Sequence, residues 1–146
     1  MRIGELAQAS GTPVETIRFY EREGLLPTAA RTEGNYRIYT PHHAERLAFI
    51  RQCRSLDMTL DEVRVLLRFK DQPTADCGEV NSLLDEHIGH VAERIQALRA
   101  LEKELRALRA ACPVPHAAAD CGILQGIDNA GAKPPTSARR HVRGAH

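Results

Sequence analysis

The chain has 146 residues, with 20 Lys/Arg against 19 Asp/Glu, four cysteines and no tryptophan. That length holds one compact domain plus an extended element, with a modest aliphatic core. No apolar run approaches a membrane span, and "MRIGELAQAS" lacks the apolar block of a secretory signal. A cytoplasmic protein with no membrane partner is expected, and there separated cysteines more often bind metal or do redox chemistry than form disulfides.

Taken in order, "IGELAQAS" places Ile3, Leu6 and Ala7 on one helical face, with Gly11 as the stop. "TPVETIRFYEREG" reads as a second helix, with Thr12 as N-cap, Pro13 at the first helical position, Glu15 completing a capping box and Gly24 at the end. Two short helices around a glycine-containing turn are the sequence form of a helix-turn-helix. Val14 and Ile17 would face the first helix, leaving Thr16 and Arg18 outside. "RTEGNYRIYT" carries a Gly-Asn turn signal and alternating residues, the pattern of a small β-hairpin or wing. Thr40-Pro41 opens a third helix with Leu47, Ile50 and a mid-helix Cys53, which is expected to be buried as a small apolar group. Thr59 and Glu62 form a further capping box ahead of Leu60, Val63, Leu66 and Leu67. Ten of the eleven basic side chains among residues 1–70 are arginine, the residue suited to bidentate phosphate and base contacts, although a mixed solvated surface has the same composition.

After a linker at 71–77, residues 78–111 form one uninterrupted helical pattern. Leu84, Ile88, Val91, Ile95 and Leu98 alternate at four and three, and Leu101, Leu105 and Leu108 continue the stripe after one shift of phase. A single narrow apolar stripe cannot bury itself, and with one such helix per chain the simplest partner is a second copy, so a homodimer is expected. Pro113 and Pro115 end the helix. The tail from 128 to 146 lacks apolar periodicity and is expected to be flexible.

Cys77 precedes this helix, and Cys112 and Cys121 follow it. Cys77 and Cys112 are 35 residues apart, roughly 50 Å along a helix, too far to share one ion within a chain. Antiparallel pairing about a two-fold axis would bring Cys77 of the partner subunit beside Cys112 and Cys121, and symmetry would make two such sites. Thiolates favour zinc, cadmium, mercury, copper(I) or lead over calcium or magnesium. The lack of a fourth nearby cysteine argues against a closed structural zinc site. An open fourth position suits large polarizable ions, with Cd(II) and Pb(II) foremost and Hg(II) or Zn(II) as alternatives. His87 and His90, three apart on one exposed face, could join Glu62 and the tail residues His141 and His146 in a subsidiary site. Solvated surface histidines are the plainer reading, and His42, His43 and His116 are placed on the surface.

"IGELAQASGTPVETIRFYEREGLL", "GNYRIY", "LDMTLDEVRVLL" and the long helix together resemble the MerR family of transcription regulators, over about residues 1–127. "DCGEVNSLLDEHI" and "DCGILQG" resemble its cadmium- and lead-responsive branch, CadR and PbrR. The Cys-x8-Cys loop is also similar to the mercury-responsive branch. Copper sensors of the family lack a thiol at the position of Cys77. The resemblance implies a mostly α protein: a winged helix-turn-helix at 1–70 with a small β-wing, an antiparallel coiled-coil dimerisation helix at 78–111, and a metal-binding loop with a short helix at 112–127. It implies a homodimer on double-stranded promoter DNA that activates RNA polymerase by bending and untwisting that DNA when metal binds. Thr16 and Arg18 would then reach bases or nearby backbone and Tyr20 a phosphate, while Arg31, Asn35, Tyr36, Arg37 and Tyr39 of the wing would meet backbone or minor groove. For Tyr20, Tyr36 and Tyr39 the competing role is packing under the wing. A thiol redox sensor on the same scaffold is the alternative, though no Cys-x-x-Cys pair supports it. Nothing in the chain has the residue order of a hydrolase triad or a phosphate loop, so an enzyme is not expected.

Overall fold

The computed structural model describes residues 1–134. Six α-helices and two short strands follow in the order α1 (Ile3–Ser10), α2 (Val14–Arg22), β1 (Ala30–Arg31), β2 (Arg37–Ile38), α3 (Pro41–Ser55), α4 (Leu60–Lys70), α5 (Gly78–Ala110) and α6 (Gly122–Gly131). A 3-10 turn at Ala118–Asp120 precedes α6. The chain divides into two compact units, one of residues 1–83 and one beginning at Leu84. No helix among the described residues is long and apolar enough to cross a membrane.

The first unit is built on a core of one or two large apolar residues from each element. Leu6 of α1, Ile17 of α2, Leu47 and Ile50 of α3, Val63 of α4 and Leu25 of the α2–β1 loop are all buried. α3 is the hub, packing against both α1 and α4, while α1 also packs on α2. Leu47→Ala is expected to cost about 2–5 kcal/mol, because the site loses both transfer free energy and packing contacts. Chemical denaturation of the variant checks this. Cys53, also on the buried side of α3, has its thiol pushed up by burial, which leaves it protonated and inert.

The helix starts divide between those read correctly from local pattern and one that is not. Thr59 caps α4 as expected: its hydroxyl accepts from the Glu62 amide at 3.2 Å, and Glu62 Oε1 accepts from the Thr59 amide at 2.9 Å. Thr40 caps α3 with Pro41 at the first position, but its reciprocal partner is His43, whose Nδ1 lies 3.0 Å from the Thr40 amide. At α2 the expected capping box is absent. The N-cap is Pro13, and the buried Thr12 turns its hydroxyl back to the carbonyl of Ser10 at 3.4 Å. The turn between α1 and α2 has pulled Thr12 inward, so Glu15 faces Arg18 instead, at 3.4 Å. Gly11 ends α1 at φ 63°, a left-handed conformation open to glycine at no steric cost. Arg51 of α3 donates to the adjacent Ser10 carbonyl at 2.6 Å, fixing that helix end.

The wing is a two-residue ladder in which Ala30 pairs with Ile38 and Arg31 with Arg37. Asn35 carries the positive φ of its turn, at 65°. The chain start adds to the wing: the terminal ammonium donates to the Tyr39 carbonyl at 2.8 Å, and the Tyr39 amide to the Met1 carbonyl at 2.7 Å.

α5 runs unbroken for 33 residues. Among the described residues its stripe is only partly covered: Ile88 is 61%, Ile95 45%, Leu98 50% and Leu105 56% exposed, while Leu84, Val91, Leu101 and Leu108 are half-buried. α6 continues to Gly131, past the expected start of the flexible tail at 128. "GILQGIDNAG" contains no helix breaker other than glycine, so the last turn forms.

Candidate metal centre and nucleic-acid interface

One face of the first unit gathers cations. Arg2, Arg18, Arg22, Asn35, Tyr36 and Arg37 line an open cleft of roughly 510 Å³ between α2 and the wing. Four guanidiniums in one concave surface focus positive potential and attract a polyanion. Arg18 is exposed on α2, and Thr16, two residues before it, is half-buried. Tyr36 is 53% exposed and carries the Arg2 guanidinium over its ring at 4.0 Å, a cation–π stack. Arg31 donates to the carbonyl and the side-chain oxygen of Asn35 at 3.2 and 3.3 Å, bracing the wing turn.

Two of the expected DNA contacts are placed differently. Tyr20 is buried, and Tyr39 is only 2% exposed. The Tyr39 hydroxyl donates to Glu21 Oε1, while Arg37 Nη1 bonds Glu21 Oε2 at 3.2 Å. Burial, reinforced by the Glu21 carboxylate, pushes the Tyr39 phenol up. Tyr39 thus ties the wing to α2 at the lining of the cleft. His43, expected on the surface, is buried too. Its Nε2 lies 3.0 Å from the Pro27 carbonyl, and its ring meets that of Tyr39 edge-on.

Cys77 stands exposed immediately before α5, where its carbonyl accepts from the Asn81 amide at 3.0 Å and Asp76 caps the Gly78 amide at 3.0 Å. In the second unit, the loop after α5 returns on itself. Cys112 and Cys121 are both free and half-buried, and each thiol lies close enough to shift the ionisation of the other. The two sulfurs differ in character. Desolvation, with the proximity and charge of Cys121, pushes the Cys112 thiol up. The amide of Leu124, and then that of Ile123, holds the Cys121 thiol below its usual range against some desolvation. Cys121 is the N-cap of α6, and a helix N-terminus stabilises a thiolate there. Cys121 is therefore expected to alkylate faster than Cys112 with iodoacetamide at neutral pH, as peptide mass spectrometry would report.

His116 adds a nitrogen to this pair, its Nε2 lying 3.8 Å from Cys112 Sγ. Thiol and imidazole donors are the types that soft metal ions prefer. Among the described residues no group of three or more His, Cys, Asp or Glu side chains is arranged to hold a metal ion. What one chain assembles is a thiol pair.

Models of two family segments match the chain: the MerR helix-turn-helix family of regulatory proteins over residues 1–70, and the MerR DNA-binding segment over residues 44–108. The ZntR-homologue transcriptional regulator of Haemophilus influenzae is 47% identical over 109 residues, covering 75% of this chain and 81% of that one. This chain belongs to the MerR family. Among solved structures, the regulator PbrR691 of Ralstonia metallidurans CH34 in complex with lead(II) is 53% identical, with a TM-score of 0.78, covering 87% of this chain and 98% of that one. The MerR of Bacillus megaterium MB1 in complex with mercury(II) is 32% identical, with a TM-score of 0.66 over 88% of this chain and 99% of that one. Curated relatives of the MerR-family chain are transcriptional regulators by name, in line with the expectation of a regulator rather than an enzyme.

Several residues of this MerR-family protein were not legible as site residues. His116 sits four residues after Cys112, and its proximity depends on the turn made by Pro113 and Pro115. Arg2 and Glu21 reach the wing across long sequence separations that no local pattern encodes. His87, expected on an exposed face beside His90, is buried, whereas His90 is exposed. Glu62 is engaged in the cap of α4. His141 and His146 lie outside the described residues.

Proposed function

We propose that this MerR-family chain is a metal-responsive activator of transcription, working as a homodimer on promoter DNA and sensing Cd(II) or Pb(II). The observation that carries this reading is the return of the loop after α5, which brings Cys112 and Cys121 near enough that each thiol shifts the ionisation of the other, and sets two soft donors at the end of α5. Two thiolates and one open side call for a third donor. The exposed part of the α5 stripe supplies the means to bring one: two copies paired antiparallel place Cys77 of the partner subunit at the loop. The bound ion supplies a soft centre that thiolates of both subunits satisfy at once. His116 stands ready for a fourth position. Similarity to a lead(II)-bound regulator at 53% identity favours lead or cadmium. A relative named a mercuric resistance regulator and a mercury(II)-bound structure leave Hg(II) as an alternative, with Zn(II) as another soft-ligand candidate.

In this reading the first unit holds DNA through the arginine cleft. Arg18 and Thr16 of α2 address base edges in the major groove, and Arg31, Asn35, Tyr36 and Arg37 hold the backbone beside it. The domains in this reading are DNA binding over 1–70, a linker at 71–77, dimerisation along α5, and sensing from 112 onward. Cys112, Cys121 and Cys77 of the partner subunit are arranged differently in two forms of the dimer, and only that difference lets metal shift the equilibrium between them. The form they favour distorts the promoter so that RNA polymerase engages it, with deformation energy as the controlled quantity.

In vitro transcription titrated with Cd(II), Pb(II), Hg(II) and Zn(II) tests the reading. Activation at the lowest concentrations by cadmium or lead supports it, and activation by zinc or mercury alone reassigns the inducer. A thiol redox sensor is the second reading, favoured by the same thiol proximity. Activation by a mild oxidant in metal-free buffer would select it.

A further inference from the structure

The start of α6 meets the last turn of α5 at a residue that bears no side chain. Gly122 opens α6 directly after Cys121. A Cβ placed on Gly122 would fall 2.3 Å from the carbonyl oxygen of Ala111, 3.1 Å from its carbonyl carbon and 3.2 Å from its Cβ. The first distance is far inside van der Waals contact, and the obstructing atom is backbone. Ala111 cannot move aside cheaply, because its amide donates to the Leu108 carbonyl at 3.2 Å and the next amide, that of Cys112, donates to the Arg109 carbonyl at 3.3 Å. Arg109 in turn holds the Cys112 carbonyl at 2.8 Å. Close packing of backbone on backbone is a use to which glycine is particularly suited.

Gly126, one turn later, makes a useful contrast. Its added Cβ would meet only Leu108 Cδ1, at 2.9 Å, the far end of a flexible side chain that can rotate away. At Gly131 the same addition meets nothing within 4 Å. Three glycines on one helix thus face a rigid obstacle, a soft one and none.

We propose that Gly122 is the positioning residue of the thiol pair: its bare Cα lets the start of α6 close on the last turn of α5 and so sets the separation of Cys112 and Cys121. A methyl group there pushes the start of α6 outward and takes Cys121 with it. A metal site tolerates displacement of about 0.5 Å before its geometry is lost, so the pair ceases to act as a chelate. The consequence for metal affinity rests on the sensor reading above, whereas the thiol separation does not.

Two measurements on the full chain keep the claims apart. The first is the rate at which dibromobimane, a short reagent that bridges neighbouring thiols, cross-links Cys112 to Cys121 in metal-free protein carrying Cys77→Ser. The second is cadmium titration with Cys77 intact, followed by sulfur-to-metal charge-transfer absorbance. Gly122→Ala is expected to slow cross-linking by about tenfold or more and to weaken cadmium binding by about 10–100-fold, the range typical of disturbing a ligand's supports. DNA binding and far-ultraviolet circular dichroism should match the parent. Gly131→Ala should behave as the parent. Gly126→Ala should fall between them and be rescued by Leu108→Ala, which removes the soft obstacle; Gly122→Ala should not be rescued. Parental cross-linking in Gly122→Ala overturns the proposal, as does equal slowing in Gly131→Ala or rescue of Gly122→Ala by Leu108→Ala. Slowed cross-linking in Gly122→Ala, with no charge-transfer band in the parent, upholds the positioning role and removes the metal reading.

Discussion

Cys112→Ser is expected to abolish induction by metal while leaving operator affinity unchanged. Loss of one thiolate from a three-sulfur site should lower metal affinity by at least about 100-fold, more than the loss caused by disturbing a supporting residue. The serine hydroxyl is no substitute, because it is a hard donor that stays protonated where a thiol ionises. The arginine cleft lies in the first unit and Cys112 in the second, so the two properties separate. Cadmium titration by absorbance and a gel-shift assay at fixed salt read them independently. Retained induction in this variant removes Cys112 from the sensor.

The second large effect tests where the third sulfur comes from. A Cys77→Ser homodimer lacks one ligand in both sites, and a homodimer with Cys112→Ser and Cys121→Ser lacks two. Mixing the two chains gives a different result under the antiparallel arrangement. One site then loses all three sulfurs, but the other keeps Cys112 and Cys121 from the first chain and Cys77 from the second. Differently tagged chains, co-expressed and purified as heterodimers, are expected to bind one cadmium per dimer with a three-sulfur charge-transfer band, while each homodimer shows no such band. If each chain bound metal through its own three cysteines, the heterodimer would hold no complete site. Absence of the band in the heterodimer therefore excludes the shared site. The design uses the symmetry of an isologous dimer, in which every contact occurs twice with the roles exchanged.

Much of the fold was legible because its signals are local. The capping box of Thr59 and Glu62 lies within four residues and forms as read. The stripe of α5 follows from spacing alone, and the structure leaves Ile88, Ile95, Leu98 and Leu105 of it exposed. Gly11 closes α1 because a left-handed turn there is a property of one residue. Cys53 is buried, as its place on an apolar helix face implied. Thr12 shows the limit of such reasoning. Its sequence context is that of an N-cap, yet packing of α1 on α2 turns it inward and α2 starts one residue later.

The site divides in the same way. Residue types and spacing by themselves selected the three cysteines and the arginine-rich first segment, because soft-ligand chemistry and charge are carried by side-chain identity. Only the tertiary structure decided what those groups touch. It buried Tyr39 and joined it to Glu21, eighteen residues away, and it moved His43 from surface to core. It also brought His116 to Cys112 and set the Gly122 backbone against Ala111. Such contacts arise from the free energy of packing whole elements together. That energy depends on shape and burial summed over distant residues, so no short window of sequence contains it.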